Sequence, residues 1–322
     1  MNVFQLKSFQ TLMDQSHELH SYLMAFFVLF GLLGNICILK VFLRKRFTKI
    51  LQVKSFFRFL AITNSIYLLM RTLAYLDSRL EFNMKNNSGL ACKLIVYLNY
   101  CVSSAPAWIL AVISFERFVS VAFSISHLNS YMNKKPFQLA AGLLIVLINL
   151  IIYAPLLALI DLVTLKEISS ASRSNQTGQH FTCDFANIKV KKIFTLVDII
   201  TSMLLPATLM FVLSVCTMIC IKTIKIHSVA SLHGLMLERK LKRDKRFAVV
   251  SILLSFFFVG LNVHRCFSYF VDNVNLKDDF DYSLNFYLYL NAFTDTFYVL
   301  FFFNSIFRDE FLIMVKLRKQ KF

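Results

Sequence analysis

Residues 139–160 read LAAGLLIVLINLIIYAPLLALI, an apolar run broken by one strongly polar side chain, Asn149. At 1.5 Å per residue, a helix of about 20 residues crosses the ~30 Å hydrocarbon core of a bilayer. The alternating ten-residue strands of an outer-membrane barrel are absent. Outward from this run lie six more: 22–39, broken by Asn35, and runs near 55–77, 93–123, 193–221, 247–271 and 284–306. The whole chain agrees. Of 322 residues, 57% are hydrophobic and 16% charged, against roughly 45–50% and about 25% in soluble proteins. Seven Gly and four Pro are too few for a loop-rich β protein. Disorder, collagen and a disulfide-framed secreted module are excluded on the same grounds. We expect an all-α membrane protein: an extracellular N-terminus over 1–20, a seven-transmembrane helix bundle over 21–306, and a cytoplasmic amphipathic helix and tail over 307–322. The first twenty residues carry charges and no short apolar core, so the first span is expected to act as the insertion signal.

Charge placement orients the bundle. The segment between spans one and two holds Lys40, Arg44, Lys45, Arg46, Lys49, Lys54 and Arg58 with no acid. The segment before span one holds Lys7 against Asp14 and Glu18. The positive-inside rule then places the N-terminus outside and, after seven crossings, the C-terminus inside. In that topology 23 basic and 5 acidic residues are cytoplasmic, 12 of each are external, and Asp295 lies within span seven. The formal +17 is therefore a cytoplasmic feature, suited to anionic lipid heads and an acidic protein surface rather than to nucleic acid. The expected location is the plasma membrane.

Polar residues inside spans are costly, about 2.5–3.5 kcal/mol for a central charge on insertion scales, so each calls for an explanation. Asn35 follows Gly34 in span one, Asn64 sits in span two, Glu116-Arg117-Phe118 closes span three, Pro206 interrupts span five, and Asp295 sits in span seven. Cys92 opens span three, and Cys183 lies in the long outer loop before span five.

These residues and their spacing resemble the rhodopsin-like G-protein-coupled receptors over essentially the whole chain. Cys92 and Arg117 are 25 positions apart, the separation that family shows between its disulfide cysteine and the Arg of its Asp/Glu-Arg-Tyr motif. Gly34-Asn35, Leu60-Ala61 and Pro206 match its markers in helices one, two and five, and Phe307-Arg308 resembles the start of its interfacial helix. Phe307, Phe311, Leu312 and Val315 at helical spacing, with Lys316, Arg318, Lys319 and Lys321, fit such a helix. Within the family, the run Phe307-Arg308-Asp309-Glu310-Phe311 looks most like invertebrate neuropeptide receptors of the FMRFamide kind.

The resemblance implies a Cys92–Cys183 bridge tying the outer loop over a pocket, worth ~4–5 kcal/mol for a loop of ~90 residues in the disputed chain-entropy model. It also implies that the inactive state pairs Arg117 with Glu116 and that activation frees Arg117 for a heterotrimeric G protein. Asn64 stands where the family has Asp, and Asp295 where it has Asn, which reads as a reciprocal exchange keeping one carboxylate and one amide hydrogen-bonded in the core. Thr296 replaces the helix-seven proline. Tyr298 is one residue early in this register; a second register aligns Tyr298 and puts Asp295 on the proline position. Phe257 fits the helix-six switch, with Gly260, Leu261 and Val263 in place of the usual Cys, Trp and Pro.

For the ligand, Asn99 stands 18 residues before Arg117, where amine receptors carry an Asp, which argues against a monoamine. Tyr289 lies near the retinal-binding Lys position, so no retinal is expected. Arg71, Asp198, His264 and Arg265 occupy the outer halves of spans two, five and six and suit a peptide: Arg71 or Arg265 against a carboxylate or carbonyl, Asp198 against a ligand Arg. An internal Arg71–Asp198 pair is the alternative. Asn86-Asn87-Ser88 and Asn175-Gln176-Thr177 are glycosylation sequons in outer loops. No phosphate loop, His-Glu-x-x-His or Cys-x-x-Cys is present, so neither catalytic residues, cofactor nor metal is expected. Rival readings are a chemosensory receptor of the same fold for a small organic molecule, and a transporter or channel. Against the last, only Asn35, Asn64 and Asp295 lie at the midplane.

Overall fold

Residues 1–30 contain neither Gly nor Pro, and nothing local stops a helix there. In the computed structural model, helix α1 accordingly runs from Val3 to Leu43, so the segment expected to precede the bundle is largely helical and continuous with span one. The structure describes residues 3–44, 54–80, 82, 84–123, 134–164, 181–228, 246–247, 249–261 and 293–316. After α1 come α2 (Lys54–Arg79), α3 (Gly89–Ala122) and α4 (Lys135–Tyr153), the last opened by Pro136 in its first turn, where a missing N–H costs nothing. Helix α5 is one rod in three segments: Ile188–Ile199, a π-helical turn over Ile200–Leu204, and Leu205–Ser228. Helix α6 is Val249–Leu261, α7 is Asp295–Phe303 and α8 is Ser305–Met314. Five of these are long and apolar enough to cross a membrane; the remaining parts of spans six and seven, with His264, Arg265, Cys266 and Tyr289, lie outside the described residues.

The π-turn sits directly before Pro206. Proline offers no N–H and its ring crowds the carbonyl one turn back, and widening the preceding turn relieves both faults. Elsewhere, hydroxyls inside spans donate to a carbonyl of their own helix: Ser65 to Ala61, Thr72 to Leu68, Ser114 to Leu110, Thr217 to Leu213 and Ser255 to Ser251, at 2.7–3.1 Å. Asn149, the polar break in span four, does the same to Ile145 at 2.8 Å. The hydroxyls so bonded need no water, which is why they survive in hydrocarbon, whereas the Asn149 Oδ1 is buried without a partner.

Helix α3 packs against α2, α4 and α5 and carries the central buried stripe. The inner half of the bundle is one apolar core joining Phe42, Phe57, Ile113, Met210, Phe247, Leu300 and Phe307. A smaller outer core holds Met24, Tyr67 and Phe293 between α1, α2 and α7, and a third gathers Tyr153, Leu156 and Ile160 around the disulfide. Leu, Ile and Phe side chains outside these cores are exposed in large number, as a lipid-facing surface requires.

The outer loop before α5 is more ordered than a simple connection. Strands β1 (Ile160–Thr164) and β2 (Phe181–Phe185) pair antiparallel with Leu162 opposite Cys183. At the other end, the interfacial helix starts two residues earlier than the sequence reading put it. Asn304 caps α8, its Oδ1 accepting from the N–H groups of Ile306 and Phe307 at 3.1 and 3.2 Å. That supplies the acceptor for two of the four donors a helix start leaves open.

Helix α1 approaches its neighbours closely because of two glycines. A Cβ on Gly31 would lie 2.5 Å from Thr294 and 2.6 Å from Leu68, and one on Gly34 would lie 2.9 Å from Phe297. Gly31→Val is therefore expected to destabilise the folded protein by about 1–3 kcal/mol, read as a lowered unfolding temperature in detergent. Gly260→Ala, with nothing within 4 Å of its added Cβ among the described residues, serves as the control and should lose no stability; equal loss in the two would contradict the packing.

Candidate functional site

Two of the groups flagged by the sequence, the Glu116–Arg117 pair and the Cys92–Cys183 pair, lie at opposite ends of α3. At the end of α3 nearer α8, Glu116 and Arg117 are both buried. Arg117 donates from Nε to Glu116 Oε2 at 2.7 Å and from Nη2 to Oε1 at 2.9 Å. This two-pronged geometry is the strong form of an ion pair, and burial makes it costly to break one-sidedly. The Arg117 guanidinium also lies over the ring of Phe247, 5.7 Å from its centre. One residue earlier, Arg246 donates from Nη1 to the Ser305 hydroxyl at 2.6 Å. The residues just before α6 thus touch α3 through Phe247 and α8 through Arg246. Arg44 adds a third tie, donating to the Glu310 carbonyl at 3.1 Å with its Nε 3.7 Å from that carboxylate, so the end of α1 is fastened to α8.

In the middle of the bundle the sequence reading needs correction. Asn64 and Asp295 were expected to share a hydrogen bond. Instead, both amide atoms of Asn64 are buried without a partner, and Asp295 meets Thr296 at 3.5 Å. The amide that does reach span seven belongs to Asn35, which donates to the Phe293 carbonyl at 3.2 Å. Tyr298 points to the same neighbour, its hydroxyl 3.5 Å from the Phe30 carbonyl of α1. Phe257 is also corrected: it faces outward, while Phe258 packs on the core. The inward stripe of the sixth span is Phe247, Val250, Ser251, Leu254, Ser255 and Phe258, at helical spacing, and Phe257 lies off it. That stripe was legible and was missed because the family position was followed instead.

At the outer end, Cys92 and Cys183 form a disulfide with Cα atoms 5.6 Å apart. It fixes β2 against the start of α3. Asn86 helps hold it, accepting at Oδ1 from the Cys183 N–H at 3.3 Å, so the first sequon lies beside the lid, half-buried. Asn175 lies outside the described residues. Lys93 faces Asp161 of β1 at 3.8 Å.

The candidate ligand residues separate. Asp198 is buried and accepts from the Tyr153 hydroxyl at 2.7 Å, with Tyr100 and Phe194 packed around Tyr153. It braces α5 against α4, a role that the reading of Asp198 as a contact for a ligand Arg did not foresee. Tyr153, 45 positions away, carries no local signal of that partnership. Arg71 is half-buried and donates from Nε to the Tyr67 hydroxyl at 2.7 Å, with its guanidinium 5.3 Å from that ring. The partners found for Arg71 and Asp198 are thus Tyr67 and Tyr153, not each other. Asn99 is half-buried on α3. Near Arg71, Lys191 of α5 donates to Asp184 of β2 at 2.7 Å, and Lys85, between α2 and α3, feels Asp184, Arg71 and Lys191. Burial, and then the charges of Arg71 and Lys191, pull Lys85 below the ordinary lysine range against the pull of Asp184. For Asp184, burial pushes upward, but the Lys191 bond, the Phe185 N–H and the two lysine charges prevail and hold it low.

Comparison with known proteins places this arrangement. A family model described as 7 transmembrane receptor (rhodopsin family) matches residues 34–306. No curated protein matches the chain.

The Asp184–Lys191 tie carries a pH signature. A carboxyl lowered by folding stabilises the folded form fully above its unfolded value of ~3.9 and loses that contribution as pH falls through the folded value. Both side chains are well exposed, so the effect is local and modest. Amide exchange in β1–β2 is expected to hold steady from about pH 7 to pH 4 after correction for intrinsic rates and to quicken below that. Asp184→Asn should remove the acid-dependent step; a profile identical to the parent would refute the assignment.

Proposed function

The chain belongs to the rhodopsin family of seven-transmembrane receptors, and from that membership we propose that it relays an extracellular peptide signal to a heterotrimeric G protein. It is a multi-pass plasma-membrane receptor and not an enzyme. The proposed orientation has the N-terminus and the disulfide-bound hairpin outside, with α8 and the Glu116–Arg117 pair inside. One observation carries the reading: a buried, two-pronged ion pair at one end of α3 with the start of span six resting on it, and a β-hairpin cross-linked to the other end. Rearranging α6 uncovers Arg117, and a ligand under the lid supplies the bias. A 100-fold preference for the active packing is worth only ~2.7 kcal/mol, so the resting gap must be small.

The peptide assignment is supported by the outer charges. Lys85 lies within electrostatic reach of Arg71 and Lys191 as well as of the Asp184 carboxylate, and this grouping of three cations favours acidic side chains or carbonyls of an extended ligand. The amide of Asn99 offers no counter-charge to a monoamine. With Asp198 committed to Tyr153, the demand for a basic ligand residue falls away.

Glu116→Gln weakens the pair by about 1–2 kcal/mol and should raise ligand-independent nucleotide exchange roughly 5–30-fold. Arg117→Ala should abolish exchange at unchanged surface expression. Unaltered basal exchange in the first, or full exchange in the second, would overturn the switch. A peptide library screened on cells with a second-messenger readout tests the ligand class. Against any hit, Arg71→Ala should lower apparent affinity about tenfold, whereas full potency would point to a different ligand chemistry.

A further inference from the structure

We propose that the groove between the first turns of α2 and α4 binds one anionic phospholipid, its phosphate on Lys54 and Arg58 and an acyl chain along Phe59, Ile62 and Leu139. The groove is a cavity of about 440 Å³, within the ~300–1,000 Å³ range of ligand pockets. Its floor exists because α4 carries Gly142 where a Cβ would stand 2.8 Å from the Phe59 ring, so ring and backbone meet flat. Beyond the charged end the walls are hydrocarbon, from Ile62, Pro136 and Leu139.

The charged end has one sign. Lys54 and Arg58 line the groove, and among the described residues no carboxylate does. Arg58 donates from Nη2 to the Phe42 carbonyl at the end of α1, while its Nε is buried without a hydrogen-bond partner. That Nε is sealed within the protein, so it is the permanent charge of Arg58, which lines the groove, that a phosphate would meet. Lys134 and Lys135 open α4 beside Pro136, and the N-terminus of that 19-residue helix adds positive potential. A free anion would satisfy the cations and leave the apolar walls uncovered. A phospholipid covers both, and the surrounding bilayer supplies it. The orientation proposed above enters only in assigning this lipid to the inner leaflet, where anionic headgroups concentrate.

The test is native mass spectrometry of the full chain in detergent, titrated with dioleoyl phosphatidylserine. One adduct is expected, held about tenfold more tightly than phosphatidylcholine and not displaced by excess inorganic phosphate. Lys54→Gln with Arg58→Gln should weaken it by about the same factor. Because that pair also braces α1, Ile62→Trp provides an independent variant: it fills the acyl half from an exposed position, leaves every charge, and should lose the adduct too. Equal retention of phosphatidylcholine or cholesterol, displacement by phosphate, or undiminished binding in both variants would each overturn the site. Glycosylation mapping at Asn86 reports orientation separately, so an inverted topology would leave the adduct intact and correct only the leaflet.

Discussion

A hydrocarbon medium offers no hydrogen-bond partners, and this chain is arranged around that fact. Backbone groups must be satisfied within each rod, which leaves long helices as the only way across. Hydroxyls at Ser65, Ser114, Thr217 and Ser255 turn back on their own helices for the same reason. Where the chain departs from regular helix, it does so with a local remedy: the widened turn before Pro206 and the Asn304 cap between α7 and α8. Charge that cannot be satisfied locally is paired, as in Glu116–Arg117, and is placed at a helix end.

The division between the two halves of the bundle follows from the same economy. The half around Glu116 and Arg117 is a single apolar mass into which that ion pair, the Arg44–Glu310 pair and a few backbone caps are set. The outer half is braced by tyrosines: Tyr153 on Asp198, Tyr67 under Arg71, and Tyr97 on the Leu150 carbonyl at 2.9 Å. A tyrosine gives apolar area along its ring and a single donor at its tip, so it can join helices without burying an uncompensated group. The outer half is thus held by polar links and a disulfide, the inner half mostly by apolar packing.

What the sequence made legible was whatever depends on composition or fixed spacing. Seven apolar runs, the Cys92-to-Arg117 interval and the proline of span five are properties of one stretch of chain and needed no partner to be read. The failures all concern partners. Asn64 and Asp295 suggested a bond by their exchanged identities, yet rotation of each side chain about its helix decides contact, and Asn35 takes the inter-helix role. Asp198 looked available because Tyr153 lies on another helix. Phe257 was read from family position although the stripe from Phe247 to Phe258 passes beside it. Gly31 went unremarked beside Gly34, although two small residues one turn apart are the ordinary sign of close helix contact in membranes.

Arg246 and Phe247 are sequence neighbours, yet they hold different parts of the molecule, one the hydroxyl of Ser305 and the other the face of Arg117. Successive residues on a helix point about 100° apart, so the two grips face different neighbours from one stretch of the rod. The two latches sit on adjacent teeth of the same gear. Any displacement at the start of the sixth span therefore acts on α3 and α8 together.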